Sequence, residues 1–136
     1  MTDISFYLFE HSPERQAYSA CRLCRKILNK QPKKIWWFCD DFAQQKQLDA
    51  LLWSFDPSSF IPHGIHDLQG SICISEHLPE AGQWIIFNFS KQALKPQDTF
   101  EHIIEIVENE ESTKIVGREK FKHYRKLGLI PRTFKL

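Results

Sequence analysis

Four short runs in this chain are apolar on both faces: Ile4-Ser5-Phe6-Tyr7-Leu8-Phe9, Ile35-Trp36-Trp37-Phe38-Cys39, Ile72-Cys73-Ile74 and Trp84-Ile85-Ile86-Phe87-Asn88-Phe89. They are short and rich in β-branched or aromatic side chains, as strands covered on both sides are. Such strands belong inside a three-layer arrangement. Between the first two lies a helical stretch that Ser12 is placed to cap, with Pro13 at the first position and Glu14 favoured by the helix dipole, ending before Pro32. A second helix is expected to start at Asp40 or Asp41 and to run to about Trp53, with Leu48, Leu51 and Leu52 facing the sheet. Strand and helix alternating at this spacing indicate βαβ units. The predicted class is α/β: a three-layer α/β/α, Rossmann-like fold with a central, largely parallel sheet.

The rest of the chain is less periodic. Residues Ser54 to Gln83 contain Pro57, Pro62, Pro79 and three glycines, and read as loops around one or two short strands. Ala93 to Phe100 reads as a short helix disturbed by Pro96. The run His102 to Glu108 fits either periodicity, and its β-branching favours a strand. The 136 residues suit a single domain over 1–136 with its own core. The start, Met1-Thr2-Asp3, has no basic stretch, and no apolar run approaches the roughly 20 residues that span a bilayer, so the expected location is the cytoplasm. Cys21, Cys24, Cys39 and Cys73 sit inside apolar or helical segments, and are expected to be reduced and mostly buried.

Charge is distributed unevenly. Ser112 to Leu136 holds eight Lys or Arg against the single acid Glu119, about +7 in a chain whose net charge is +1, so the preceding residues carry about −6. At roughly 100° per residue, Lys114, Arg118, Phe121 and Arg125 share one face of a helix. Val116, Tyr124 and Leu127 project from the other side to seat it, Gly117 allows close approach, Gly128 ends the helix and Pro131 forbids its resumption. Two readings stay open: a solvated charged face, or a patch for an anionic partner, either nucleic acid or an acidic peptide.

Catalytic signals are weak. The turn after the first strand, Glu10-His11-Ser12-Pro13, is acidic and lacks the glycines of a nucleotide-binding loop, and none of the five glycines falls in a phosphate-loop spacing. Cys21-Arg22-Leu23-Cys24 has a metal or redox spacing but lies two turns inside a helix without a second pair, so one sulfur is expected inward and one near the surface. His63-Gly64-Ile65-His66-Asp67 resembles a metal corner without a further ligand. No nucleophile with its base, and no paired acids in an apolar setting, can be picked out. The chain is expected to be non-catalytic and to need no cofactor or metal. The bulky rings of Trp53-Ser54-Phe55 and Phe60-Ile61-Pro62-His63 either fold back as core, which composition favours, or form a protein-binding patch.

Several of these residues together resemble the chi subunit family of the bacterial DNA polymerase III holoenzyme. They are Phe6-Tyr7-Leu8, Leu52-Trp53, Ser59-Phe60-Ile61-Pro62-His63, the apolar strand ending in Asn88, and the K-x-x-x-R-E-K-[FY]-K-x-Y-R-x-x-G pattern from Lys114 to Gly128. The similarity runs in order over nearly the whole chain, and residues Asp67 to Gly82 match weakly. It implies an accessory, non-enzymatic protein that joins the clamp loader through the psi subunit. It further implies a grip on the acidic C-terminal tail of single-stranded DNA-binding protein (SSB), which ends in Pro-Phe. The family's tail groove maps onto Lys114, Arg118 and Phe121, with an apolar wall residue mapping onto Val107. The family's aromatic is often Tyr, so Phe121 keeps the ring and lacks any hydrogen bond of the hydroxyl. Trp53 and Phe60 correspond to psi-contacting residues, and the same surface can serve a repair helicase instead. Helical angle adds Arg125 to the tail-binding residues, either touching the acidic tail or only steering it. The alternative function is direct binding of single-stranded nucleic acid by the basic helix, which would show a salt slope set by several phosphates.

Overall fold

The structure, a computed structural model, describes residues 2–56 and 60–136. Met1, Pro57 and Ser59, on which parts of the sequence reading fall, lie outside the described residues, as does Ser58. Each of the four apolar runs becomes a strand: β1 (Asp3–Leu8), β2 (Ile35–Phe38), β4 (Ile72–Ser75) and β5 (Trp84–Asn88). They join β3 (His63–Ile65), β6 (Phe100–Val107) and β7 (Arg132–Lys135) in a seven-stranded sheet of order β3-β4-β2-β5-β6-β1-β7. Every pairing is parallel.

Alternation along the central strands supplies two cores. Ile35 and Trp37 of β2, Ile85 and Phe87 of β5, and Ile104 and Ile106 of β6 face one way, towards α1 (Gln16–Lys30) and α2 (Phe42–Ser54). Trp36, Ile86, Ile103 and Val107, with Ile4 and Phe6 of β1, face the other way, towards Tyr124 of α3 (Glu111–Lys126). The expected three layers are therefore present. The second face has a single helix because β4–β5 and β5–β6 are joined by loops rather than helices. The β4–β5 loop is fixed by the tryptophans beneath it: Trp36 Nε1 donates to the His77 carbonyl at 2.8 Å and Trp84 Nε1 to that of Ala81 at 2.7 Å.

Local signals predicted α2 well. Asp41 caps it, its carboxylate accepting from the Gln44 N–H at 3.1 Å, and Leu48 and Leu52 are buried against the sheet with Leu51 beside them. The expectation for α1 was wrong at its start. Ser12 accepts from the Glu14 N–H, and the helix begins at Gln16, whose N–H is taken at 2.7 Å by the Glu108 carboxylate just past the end of β6. A tertiary cap has displaced the local one. Ala93 to Phe100 forms no helix; Leu94 is buried there with its N–H donated to the Tyr124 hydroxyl at 3.0 Å. The run His102 to Glu108 lies in strand through Val107, and the Ser54 to Gln83 region holds β3 and β4 among loops.

Strand β7 was not foreseen. All four of its residues are exposed, so no apolar pattern marks it, and it is held by its pairing with β1 and by the Leu136 N–H donating to the Leu8 carbonyl at 2.7 Å. It adds the edge that borders the site described next.

Candidate functional site: a groove between α3 and the β1–β6 ends

Helix α3 is seated by Gly117, Lys120 and Tyr124, all buried, with Phe121 half-buried beside them. Of the three residues expected to seat it, Tyr124 does so, Val116 is half-buried and Leu127 is 42% exposed. Tyr124 and Phe121 both pack edge-on against Phe6, at centroid distances of 5.9 and 5.3 Å. Gly117 approaches β6 so closely that a Cβ there would stand 2.8 Å from Val107 Cγ2. The helix ends as expected: Gly128 takes φ +85° and the Leu129 N–H reaches back to the Tyr124 carbonyl at 3.1 Å.

One of the eight C-terminal cations does not belong to the basic surface. Lys120 is buried and donates at 2.8 Å to Glu105 of β6. The other carboxylate oxygen accepts from Tyr124 Oη and from Asn88 Nδ2, both at 2.7 Å. Burial pushes the Glu105 carboxyl upward, against the Lys120 charge and these hydrogen bonds. This network ties the middle of α3 to β5 and β6.

On the next face of α3 a groove of about 330 Å³ opens at the C-terminal ends of β1 and β6. Phe6, Leu8, Val107, Gly117 and Phe121 make its apolar lining; Lys114 and Arg118 stand on its rim. Four of the residues singled out from the sequence, Lys114, Arg118, Phe121 and Val107, thus meet around one concavity. Arg125 is exposed and does not line it. The arrangement offers a ring-sized apolar slot beside two cations, which suits an aromatic side chain next to a carboxylate. Sequence reasoning missed Phe6, Leu8 and Thr133 as lining residues: the first two look like ordinary strand core, and Thr133 belongs to the unforeseen β7.

At the opposite edge of the sheet the bulky rings divide. Phe55 and Ile61 pack onto the core as composition favours, whereas Trp53 and Phe60 are 57% and 71% exposed and lie 5.7 Å apart, ring to ring. The Trp53 ring also rests 4.7 Å from that of His63. These two rings are therefore exposed, and the reading of them as core does not hold.

The other candidate clusters are structural in their surroundings. His63 is buried, Nδ1 lying 2.7 Å from the Ile61 carbonyl, and among the described residues no group of three or more His, Cys, Asp or Glu is arranged to hold a metal. All four cysteines are free and buried, so both sulfurs of the Cys21-Cys24 pair face inward, contrary to the expected division. That follows from their spacing of three, which keeps both on one helix face. Burial raises all four thiols, Cys21 to about 12 and Cys73 to about 11, so none is poised as a nucleophile at neutral pH. No described helix is long and apolar enough to cross a membrane.

The family described as DNA polymerase III chi subunit, HolC, matches residues 1–132. The DNA polymerase III subunit chi of Pseudomonas aeruginosa is 30% identical over 132 residues, which cover 94% of this chain and 92% of that protein. The proteins of the same name from Haemophilus influenzae and Escherichia coli are 25% and 24% identical, over 80% and 94% of this chain and 79% and 94% of their own lengths.

Proposed function

The chain belongs to the DNA polymerase III chi subunit family, and from that premise we propose that it is a non-catalytic accessory subunit of the clamp-loader complex, working in the cytoplasm. It bridges that complex to SSB-coated single-stranded DNA. The groove takes the acidic C-terminal tail of SSB, and the Trp53–Phe60 patch takes the psi subunit or, in exchange, a repair helicase. The observation that carries this reading is the meeting of Lys114, Arg118, Phe121 and Val107 around one apolar slot.

The chemistry of the two partners supports the assignment. A tail ending in Pro-Phe presents a ring and an α-carboxylate side by side; the ring fills the slot over Val107 and Gly117 against Phe121, and the carboxylate meets Lys114 and Arg118. Arg125, outside the slot, faces the preceding acids as a steering charge. Cations open wholly or partly to solvent make such a grip salt-sensitive and modest, as suits a tether that is handed on. The psi patch differs in kind, since two adjacent exposed aromatics form the apolar anchor typical of a protein interface. Direct nucleic-acid binding by α3 is weakened as an alternative because Lys120 is withdrawn into the core.

The test is fluorescence anisotropy of a labelled acidic peptide ending in Pro-Phe, beside the same peptide without the final Phe. Saturable binding lost with that Phe is expected. Equal binding of both peptides, or of neither, overturns the tail assignment.

A further inference from the structure

Residues 111, 114, 118, 121 and 125 form a single stripe along α3, because steps of three and four keep side chains on one helix face. Four of them are the proposed tail-binding residues, and the fifth is an acid. Glu111 Oε1 stands 3.6 Å from Arg118 Nη1, reaching along the stripe past Lys114. Glu111 stands outside the groove lining; the two acids that do line it are each held elsewhere. Glu10 faces Lys135 at 3.9 Å, and Glu108 accepts from Arg15 Nε at 2.8 Å and from the Gln16 N–H at 2.7 Å. Among the described residues, Glu111 alone is ion-paired with a cation of the groove, and Lys114 has no ion-pair partner.

We infer that Glu111 is a specificity-determining residue of this groove: an internal carboxylate that holds Arg118 while the groove is empty and that an incoming anionic peptide terminus must displace. The inference rests on the reading of the groove as a receptor for an acidic C-terminal tail. Its physical content is a competition between two carboxylates for one guanidinium. A peptide without a terminal carboxylate offers Arg118 nothing better than Glu111 already provides, so the exchange favours anionic ends. The two side chains are 73% and 61% exposed, so solvent screens their contact and the displacement is easy. Lys114, unpaired, makes first contact at no such cost.

The experiment measures binding of the acidic Pro-Phe peptide at low salt to the wild type, Glu111→Gln, Arg118→Ala and the double variant. Glu111→Gln is expected to tighten binding by about two- to fivefold, the range of a single exposed ion pair. In the Arg118→Ala background, read at the higher protein concentrations its weaker binding requires, the same substitution is expected to change nothing. Wild-type binding with no gain in Glu111→Gln overturns the inference and leaves the tail reading standing. An equal gain with and without Arg118 also overturns it, because the effect then comes from net charge alone. A wild-type protein that does not bind the peptide sinks the tail reading, and this inference with it.

Discussion

Among the contacts that helix α3 makes between a glutamate and a cation, two differ chiefly in their surroundings. Lys120 and Glu105 meet at 2.8 Å with side chains 8% and 2% exposed, while Arg118 and Glu111 meet at 3.6 Å with side chains 61% and 73% exposed. The first pair is closed by Tyr124 and Asn88, so each oxygen of the carboxylate is satisfied inside the protein. The second remains in solvent, where each partner can be exchanged for a ligand at little cost. Two basic residues two positions apart are thus placed differently: one fixes the helix, the other stays in solvent. Burial separates the roles, and residue type does not.

The largest effect expected of this difference is on stability. Lys120→Ala leaves Glu105 buried without its counter-charge, which costs about 3–5 kcal/mol; urea unfolding measures it. Its pH dependence has a definite sign. Burial raises the Glu105 pKa above the ordinary 4.5 in the folded protein, so the folded state binds this proton more tightly than the unfolded one. The contribution is most favourable below the unfolded value and is lost as pH rises through the folded value. Removing Lys120 raises the folded pKa further, so the penalty of Lys120→Ala should be smaller near pH 5 than near pH 8. A penalty independent of pH would break the assignment of Glu105 as its source.

Arg118→Ala should invert the pattern. Unfolding is expected to shift by less than about 0.5 kcal/mol, as for other exposed sites, while affinity for the acidic peptide falls roughly 10- to 100-fold, the worth of a hydrogen bond to a charged group. Arg118→Ala destabilising as much as Lys120→Ala would erase the distinction between the two pairs. At the far edge of the sheet, Trp53→Ala should leave peptide binding intact and cost about 2 kcal/mol or more in binding to psi, as for an aromatic anchor. Titration calorimetry against each partner checks that the two surfaces are independent.

These contrasts were unevenly legible in the sequence. Strands β1, β2, β4 and β5 could be read because burial on both faces leaves runs such as Trp84 to Phe87 with no polar side chain. Strand β7, Arg132 to Lys135, could not, because its side chains are exposed and only its backbone pairing with β1 defines it. The start of α1 was misread for a related reason: its cap, Glu108, follows the end of β6, some ninety residues away in sequence. In the candidate site, helical angle grouped Lys114, Arg118 and Phe121, and the structure lines one groove with them. The same arithmetic could not tell that Lys120 points into the core, since its buried partner Glu105 lies on a different element and nothing local marks the pair. Nor could it decide between Phe55, which packs inward, and Trp53, which does not.

Gly117 lies between the two faces of α3, and its substitution has a small net effect on stability because two terms oppose. A glycine inside a helix gives up about 1 kcal/mol relative to alanine. An added Cβ would stand 2.8 Å from Val107 Cγ2 and 3.3 Å from Cγ1, so Val107 must turn or the helix must lift, an overpacking cost of about 1–3 kcal/mol. The expected net change for Gly117→Ala is a destabilisation of about 1 kcal/mol, measured by urea unfolding. Binding should suffer more than that figure implies, because Gly117 and Val107 both line the groove and the methyl group narrows it. A several-fold loss of peptide affinity with nearly unchanged stability would show that the glycine is there for the slot. Full affinity with reduced stability would show that it serves only the packing of α3 on β6, and would move Gly117 to the same side of the comparison as Lys120.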